Sequence, residues 1–168
     1  MNESEPLEVV TGSNLEKHLY EGSPAPDFSL QDQDGKTHHR SDYLGKKDII
    51  LYFYPKDDTP GCTKEACSFR NDLDKFRSID VEILGVSTDD ITSHKAFAQK
   101  YRLNFPLLAD PGKQVVQTYR ALSDKGYAKR ITYLIDKQGI IRRIFPNVGI
   151  ESHSEELQRA LKAVQNKA

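Results

Sequence analysis

Cysteine is scarce: the chain holds two, Cys62 and Cys67. That excludes the multi-bridge scaffold of a small secreted domain and makes reactive thiols the better reading. The N-terminus Met1-Asn2-Glu3-Ser4-Glu5 is acidic and lacks the basic segment and apolar stretch of a secretory signal, so a cytoplasmic protein is expected. Long apolar runs are missing too. None approaches the ~20 residues of a membrane span, and no membrane partner is expected. Neither sign of charge dominates, with 24 Lys and Arg against 25 Asp and Glu and a net charge of −1. This removes the electrostatic case for nucleic acid as a partner. No glycine-rich phosphate loop, internal repeat or low-complexity tract is present. Metal-ligand spacing is also lacking. The pair His38-His39 has no Cys or carboxylate at ligand spacing, and strand neighbours face opposite ways, so it reads as a solvated pair without a metal.

What is present gathers around the two cysteines. Asp48–Tyr54 is short, apolar and β-rich, and reads as a buried strand. A helix is expected after it, from Thr59 to Phe76. Thr59 suits the N-cap, and Pro60 suits the first helical position, where a missing N–H costs nothing. Cys62 then falls at the third helical position, where a capping box carries Glu or Gln. A thiolate there meets unpaired backbone N–H groups and the positive end of the helix dipole, an environment that lowers a cysteine pKa. Helical phase places Cys62, Ala66, Phe69, Leu73 and Phe76 on one apolar face. Cys67 lies about 140° away, on the polar flank with Thr63, Asn71 and Asp74. Periodicity alone leaves two readings open: Cys62 as an ordinary core cysteine, or as a nucleophile.

The remaining chain alternates strands and helices. Phe28–Leu30 and Lys36–Arg40 form a hairpin around Asp34-Gly35, followed by a helical turn at Ser41–Gly45. Further strands are expected at Val81–Ser87, Phe105–Leu108, Arg130–Ile135 and Ile140–Phe145. Helices are expected at Asp90–Tyr101, Gly112–Leu122 and Ser154–Val164. Residues 1–21 form an N-terminal extension that reads as a partly ordered tail able to make one or two helical turns at Ser13–Tyr20, and residues 22–168 form the main domain. This pattern fits either a thioredoxin-like α/β domain or a small doubly wound one.

The frame Pro55-x-x-x-Thr59-x-x-Cys62, directly after an apolar strand, resembles the active-site loop of the peroxiredoxins. The second cysteine, Cys67, resembles the resolving cysteine of their bacterioferritin-comigratory-protein or Q-type branch. Ala25–Leu30, Leu84–Thr88, Phe105–Asp110 and Arg130–Asp136 are similar to family segments in the family order, so the resemblance runs from about Gly22 to Leu161. It implies a thioredoxin-like fold with an added N-terminal β-hairpin. It also implies a thiol-dependent peroxidase in which Cys62 forms a sulfenic acid and then a disulfide with Cys67. Arg130, at the start of its strand, matches the family's active-site arginine. Pro55 would shield the sulfur, and Thr59 would contact the peroxide as well as cap the helix.

The resemblance further implies hydroperoxide substrates, a thioredoxin-like dithiol reductant, no metal or organic cofactor, and a monomer, since the disulfide can close within one chain. Magnitudes show where the rate must come from. A thiol of pKa about 8.5 is a few per cent ionised near neutrality, so full ionisation adds little more than tenfold. Donors aimed at the peroxide oxygens must supply the rest. Two other classes stay open. A thiol–disulfide oxidoreductase would normally use Cys-x-x-Cys rather than this wider spacing. A redox sensor or holdase would use the same oxidation without turnover.

Overall fold

The computed structural model describes residues 19–146 and 153–166. The elements follow one another as β1 (Ser29–Gln31), β2 (Thr37–His39), a 3-10 turn (Arg40–Tyr43), β3 (Asp48–Phe53) and α1 (Pro60–Arg77). Then come β4 (Val81–Ser87), α2 (Ile91–Tyr101), β5 (Leu107–Ala109), α3 (Gln114–Thr118), β6 (Ile131–Ile135), β7 (Ile141–Phe145) and α4 (His153–Asn166). They build one seven-stranded sheet in the order β2-β1-β5-β4-β3-β6-β7. β3, β4 and β5 run parallel, whereas β6 lies antiparallel against the other edge of β3. The fold is the thioredoxin-like α/β arrangement, with the β1–β2 hairpin added through the Gln31–Ala109 pairing.

β3 and β4 are buried along their whole length, as strands covered on both faces must be. Alternation sorts the side chains of β3 between two cores. Ile50, Tyr52 and Tyr54 point to a cluster that holds Cys62, Ala66, Phe69, Leu73 and Phe76 of α1, with Phe97 of α2 and Leu157 and Leu161 of α4. Ile49, Leu51 and Phe53 point to the opposite cluster, which holds Val116 of α3, Tyr119, Tyr133 and the N-terminal Phe28 and Leu30. The apolar face of α1 is therefore the one its spacing predicts. Burying Phe69, Leu73 and Phe76 together contributes about 5–9 kcal/mol. Gly85 of β4 faces the Tyr52 ring so closely that a Cβ there would sit 2.9 Å from it. Any larger residue would push that ring out of the core next to α1.

Two expectations need correction. The helix expected over Gly112–Leu122 is confined to Gln114–Thr118. The chain leaves it at Arg120, which is left-handed with φ 57, while Ala121 N donates back to Val116 O. Just before that exit the Tyr119 ring packs in the core against Phe53 and Tyr133, its hydroxyl donating to Pro26 O. His38 is not solvated. It is buried, with Nε2 2.7 Å from Asp32 Oδ2 and Nδ1 3.1 Å from the Tyr43 hydroxyl. Asp32 also accepts from the Asp34 and Lys36 N–H groups, which closes the hairpin turn. His39 faces the other way, towards Asp42. At the start of the described chain, residues 19–21 rest on the body of the fold. Leu19 packs on the second cluster and Glu21 accepts from Ile144 N. The helical turns expected at Ser13–Tyr20 lie, apart from Leu19 and Tyr20, outside the described residues.

Candidate active site

Strand pairing brings the site together. Ile131, the first residue of β6, is opposite Phe53, the last residue of β3. The antiparallel sense therefore delivers Arg130, just before β6, to the loop that leaves β3. That loop, residues 55–59, begins where Tyr54 N donates to Val86 O and ends where Thr63 N donates to Thr59 O. Thr59 is the N-cap of α1 with Pro60 at the first helical position, so Cys62 occupies the third. The Thr59 hydroxyl does not cap, however. It donates to Lys56 O at 2.9 Å, tightening the loop, and the cap rests on the backbone alone. Pro55 and Thr59 are both half-buried beside the loop.

Cys62 is buried and Cys67 partly exposed, and both are free thiols on one continuous α-helix. Arg130 Nη2 lies 3.3 Å from Cys62 Sγ, and Nη1 lies 2.8 Å from Glu65 Oε1. One guanidinium thus bridges a sulfur and a carboxylate. Lys129, the neighbour that could have been confused with Arg130, is exposed, and Arg142 pairs with Asp136 at 3.2 Å.

The model of the AhpC/TSA family matches residues 22–144. The chain belongs to the AhpC/TSA family. A wheat protein (Triticum aestivum) named peroxiredoxin Q, chloroplastic, is 47% identical over 148 residues, covering 86% of this chain and 66% of that protein. The protein of the same name from Populus jackii is 39% identical, covering 94% of this chain and 77% of that one. Among solved structures, peroxidoxin BcpB from Mycobacterium tuberculosis superposes with a TM-score of 0.83 at 30% identity, covering 88% of this chain and 99% of that chain. A cysteine-to-serine mutant of PrxQ from Xylella fastidiosa gives 0.84 at 30% identity, with 88% and 98% covered. This AhpC/TSA member is a peroxiredoxin, a thiol peroxidase.

Sequence reasoning missed Glu65 in this peroxiredoxin. It is 1% exposed, and its Oε2 has no hydrogen-bond partner among the described residues; nor has the buried Tyr52 hydroxyl. The signal was the i, i+3 spacing from Cys62, which puts both side chains on one helix face. Burial pushes the Glu65 carboxyl up to about 7, although Arg130 pulls it down through its charge and hydrogen bond. Burial also works against the Arg130 charge, but Cys62 and Glu65 outweigh it, and the Arg130 pKa is raised. When Glu65 holds a proton, the guanidinium faces the sulfur without a competing carboxylate charge.

A raised carboxyl pKa favours the folded state while the group is protonated. The contribution is full below the unfolded value near 4.5 and is lost as pH rises through about 7. At 1.36 kcal/mol per pKa unit it amounts to about 3 kcal/mol. Urea unfolding from pH 4.5 to 8 should show the parent losing this amount relative to Glu65→Gln, which keeps an acceptor for Arg130. Parallel stability curves for the two proteins would refute the assignment.

Proposed function

We propose that this chain reduces hydrogen peroxide and organic hydroperoxides through Cys62 and then closes a Cys62–Cys67 disulfide that a thioredoxin-like dithiol reopens. The observation that carries the reading is the Arg130 guanidinium 3.3 Å from the Cys62 sulfur. In the first step the thiolate attacks the terminal oxygen of ROOH. The S–O bond forms, the O–O bond breaks, and RO⁻ takes a proton and leaves as ROH. Cys62 is then a sulfenic acid. Arg130 and the Cys62 N–H stabilise charge on the two oxygens as it develops. In the second step the Cys67 sulfur attacks the sulfenic sulfur and water leaves. The reductant's two thiols then become its disulfide, restoring both cysteines.

The second step conflicts with the helix. Two residues five apart on a regular α-helix have Cα atoms about 8–9 Å apart, whereas a disulfide needs about 7 Å or less. The N-terminal part of α1 must therefore unwind. The unwinding has a natural stop: Ser154 Oγ of α4 donates to Asp72 Oδ2 at 2.6 Å, tying the second half of α1 to the body. Phe76 and Leu73 stay packed beyond that point. Oxidation should speed amide exchange from Gly61 to about Asp72 and leave β3 and β4 unchanged. Unchanged exchange in a fully disulfide-bonded sample would refute the switch. Cys67→Ser should still form the sulfenic acid and then stall there.

A coupled assay with a thioredoxin system and several hydroperoxides tests the cycle. Continuous turnover supports it. One equivalent of oxidation without turnover would instead make the chain a redox sensor or holdase. The disulfide needs no second copy, so the working state is proposed to be a monomer, which sedimentation in both redox states tests.

A further inference from the structure

We propose that Asp57 is a positioning residue, and that its clamp by His94 holds the loop which presents Cys62 to Arg130. The proposal rests on Cys62 being the sulfur that peroxide oxidises. Between its two backbone anchors the loop is set by side chains, and Asp57 gathers most of them. Its Oδ1 accepts from the Tyr54 hydroxyl at 2.6 Å, and its Oδ2 lies 2.8 Å from Ser93 Oγ and 2.7 Å from His94 Nδ1. The Asp57 N–H donates to Asp89 Oδ2 at 2.8 Å, an oxygen that also accepts from Ser87 Oγ. The His94 ring is fully buried and on its far side meets Leu108 O at 2.9 Å. Since that carbonyl can only accept, Nε2 donates.

Asp57 thus fastens the loop to β3, β4, α2 and, through His94, to β5. The next residue, Asp58, is left-handed with φ 58 and is tied to α2 again by Lys100 Nζ at 2.8 Å and the Tyr101 hydroxyl at 2.9 Å. A carboxylate this buried is costly and is kept only where it is fully paired. Asp57, Asp89 and His94 are close enough together to suggest a metal. Their ligand atoms already face protein groups, and the group braces the loop instead.

The discriminating measurement compares two reactions of Cys62. Oxidation by peroxide needs the oxygen-stabilising donors to be aimed; alkylation by iodoacetamide does not. Sulfenic acid formation is followed by quenched flow and mass spectrometry. Asp57→Ala should lower the peroxide rate constant by about 10²-fold, the scale of a 1 Å misplacement, and change alkylation by less than about threefold. Asp57→Asn can still accept from Tyr54 and donate to a neutral His94 Nδ1, so it should recover most of the loss.

Asp32→Ala is the control. It breaks a similar buried His–Asp pair, His38–Asp32 at 2.7 Å, but in the edge hairpin, beyond β5 and β4 from β3. It should lower stability and leave the peroxide rate within about threefold, since no donor is displaced. If Asp57→Ala does not fold, Tyr54→Phe removes one restraint on the same carboxylate and should cost about tenfold in the peroxide reaction alone. An unchanged peroxide rate in the variant tested overturns the proposal, as does a parallel fall in alkylation. A parent that reacts no faster than Cys62→Ser would overturn the peroxidase reading first and the clamp with it. A fast parent beside an equally fast Asp57→Ala overturns the clamp alone.

Discussion

Cys62→Ser eliminates peroxide turnover with every hydroperoxide, a loss of at least about 10⁴-fold if two oxyanion donors each contribute about 10² or more. A serine oxygen keeps the position at the third residue of α1 but is not ionised near neutrality, so nothing is left to attack the O–O bond. Cys67 cannot take over. It lies on the polar flank of the same helix, whereas the Arg130 guanidinium points at Cys62 and Glu65. Its reaction should therefore run at the pace of a free thiol. The fold should survive, because α1 is anchored by Ala66, Phe69, Leu73 and Phe76 rather than by the sulfur. Turnover above a few per cent of the parent in the coupled assay, with the variant shown to be folded, would remove Cys62 from the mechanism.

Arg130→Ala is expected to slow Cys62 oxidation by 10²–10³-fold, the usual cost of removing one donor to a developing oxyanion, or about 2.7–4 kcal/mol. The substitution has a second effect that must be separated from the first. It strips Glu65 Oε1 of its partner, and Oε2 has none among the described residues. A buried carboxyl in that state is held neutral at a cost to stability. Arg130→Ala with Glu65→Gln should regain part of the stability while the rate stays low. Arg130→Lys should fall between the two, since a single ammonium cannot span the 3.3 Å and 2.8 Å contacts that the guanidinium fork makes to sulfur and carboxylate. Stopped-flow rates within about threefold of the parent would mean that the donor is not Arg130.

The parts that could be read from the sequence are those governed by short-range periodicity. The apolar stripe from Cys62 to Phe76, the largely apolar strands β3 and β4, and the Thr59-Pro60 helix start depend on residues within a few turns of each other. The resemblance added Arg130, whose place opposite the end of β3 is a matter of register. What could not be read depends on contacts distant in sequence. Glu65 looks like a surface residue until Arg130 arrives from 65 positions away. His38 looks solvated until the hairpin folds Asp32 and Tyr43 over it. Asp57 looks like a loop acid until His94, 37 positions on, turns towards it. The overlong helix after Gly112 had a different cause. Val115, Val116, Tyr119 and Leu122 keep helical spacing, but the backbone turns left-handed at Arg120 and Ala121 N donates back to Val116 O, which ends the helix before Leu122.

Because β6 pairs antiparallel with β3, the two halves of the peroxide site touch in space but are far apart in order of synthesis. Arg130 leaves the ribosome 68 residues after Cys62. At about 5–20 residues per second that gap lasts roughly 3–14 s. Throughout it the nascent chain carries the Cys62 sulfur without its guanidinium, and on the proposed mechanism it would meet peroxide as an unassisted thiol. On that mechanism the fast reaction therefore waits for β6 to dock against β3.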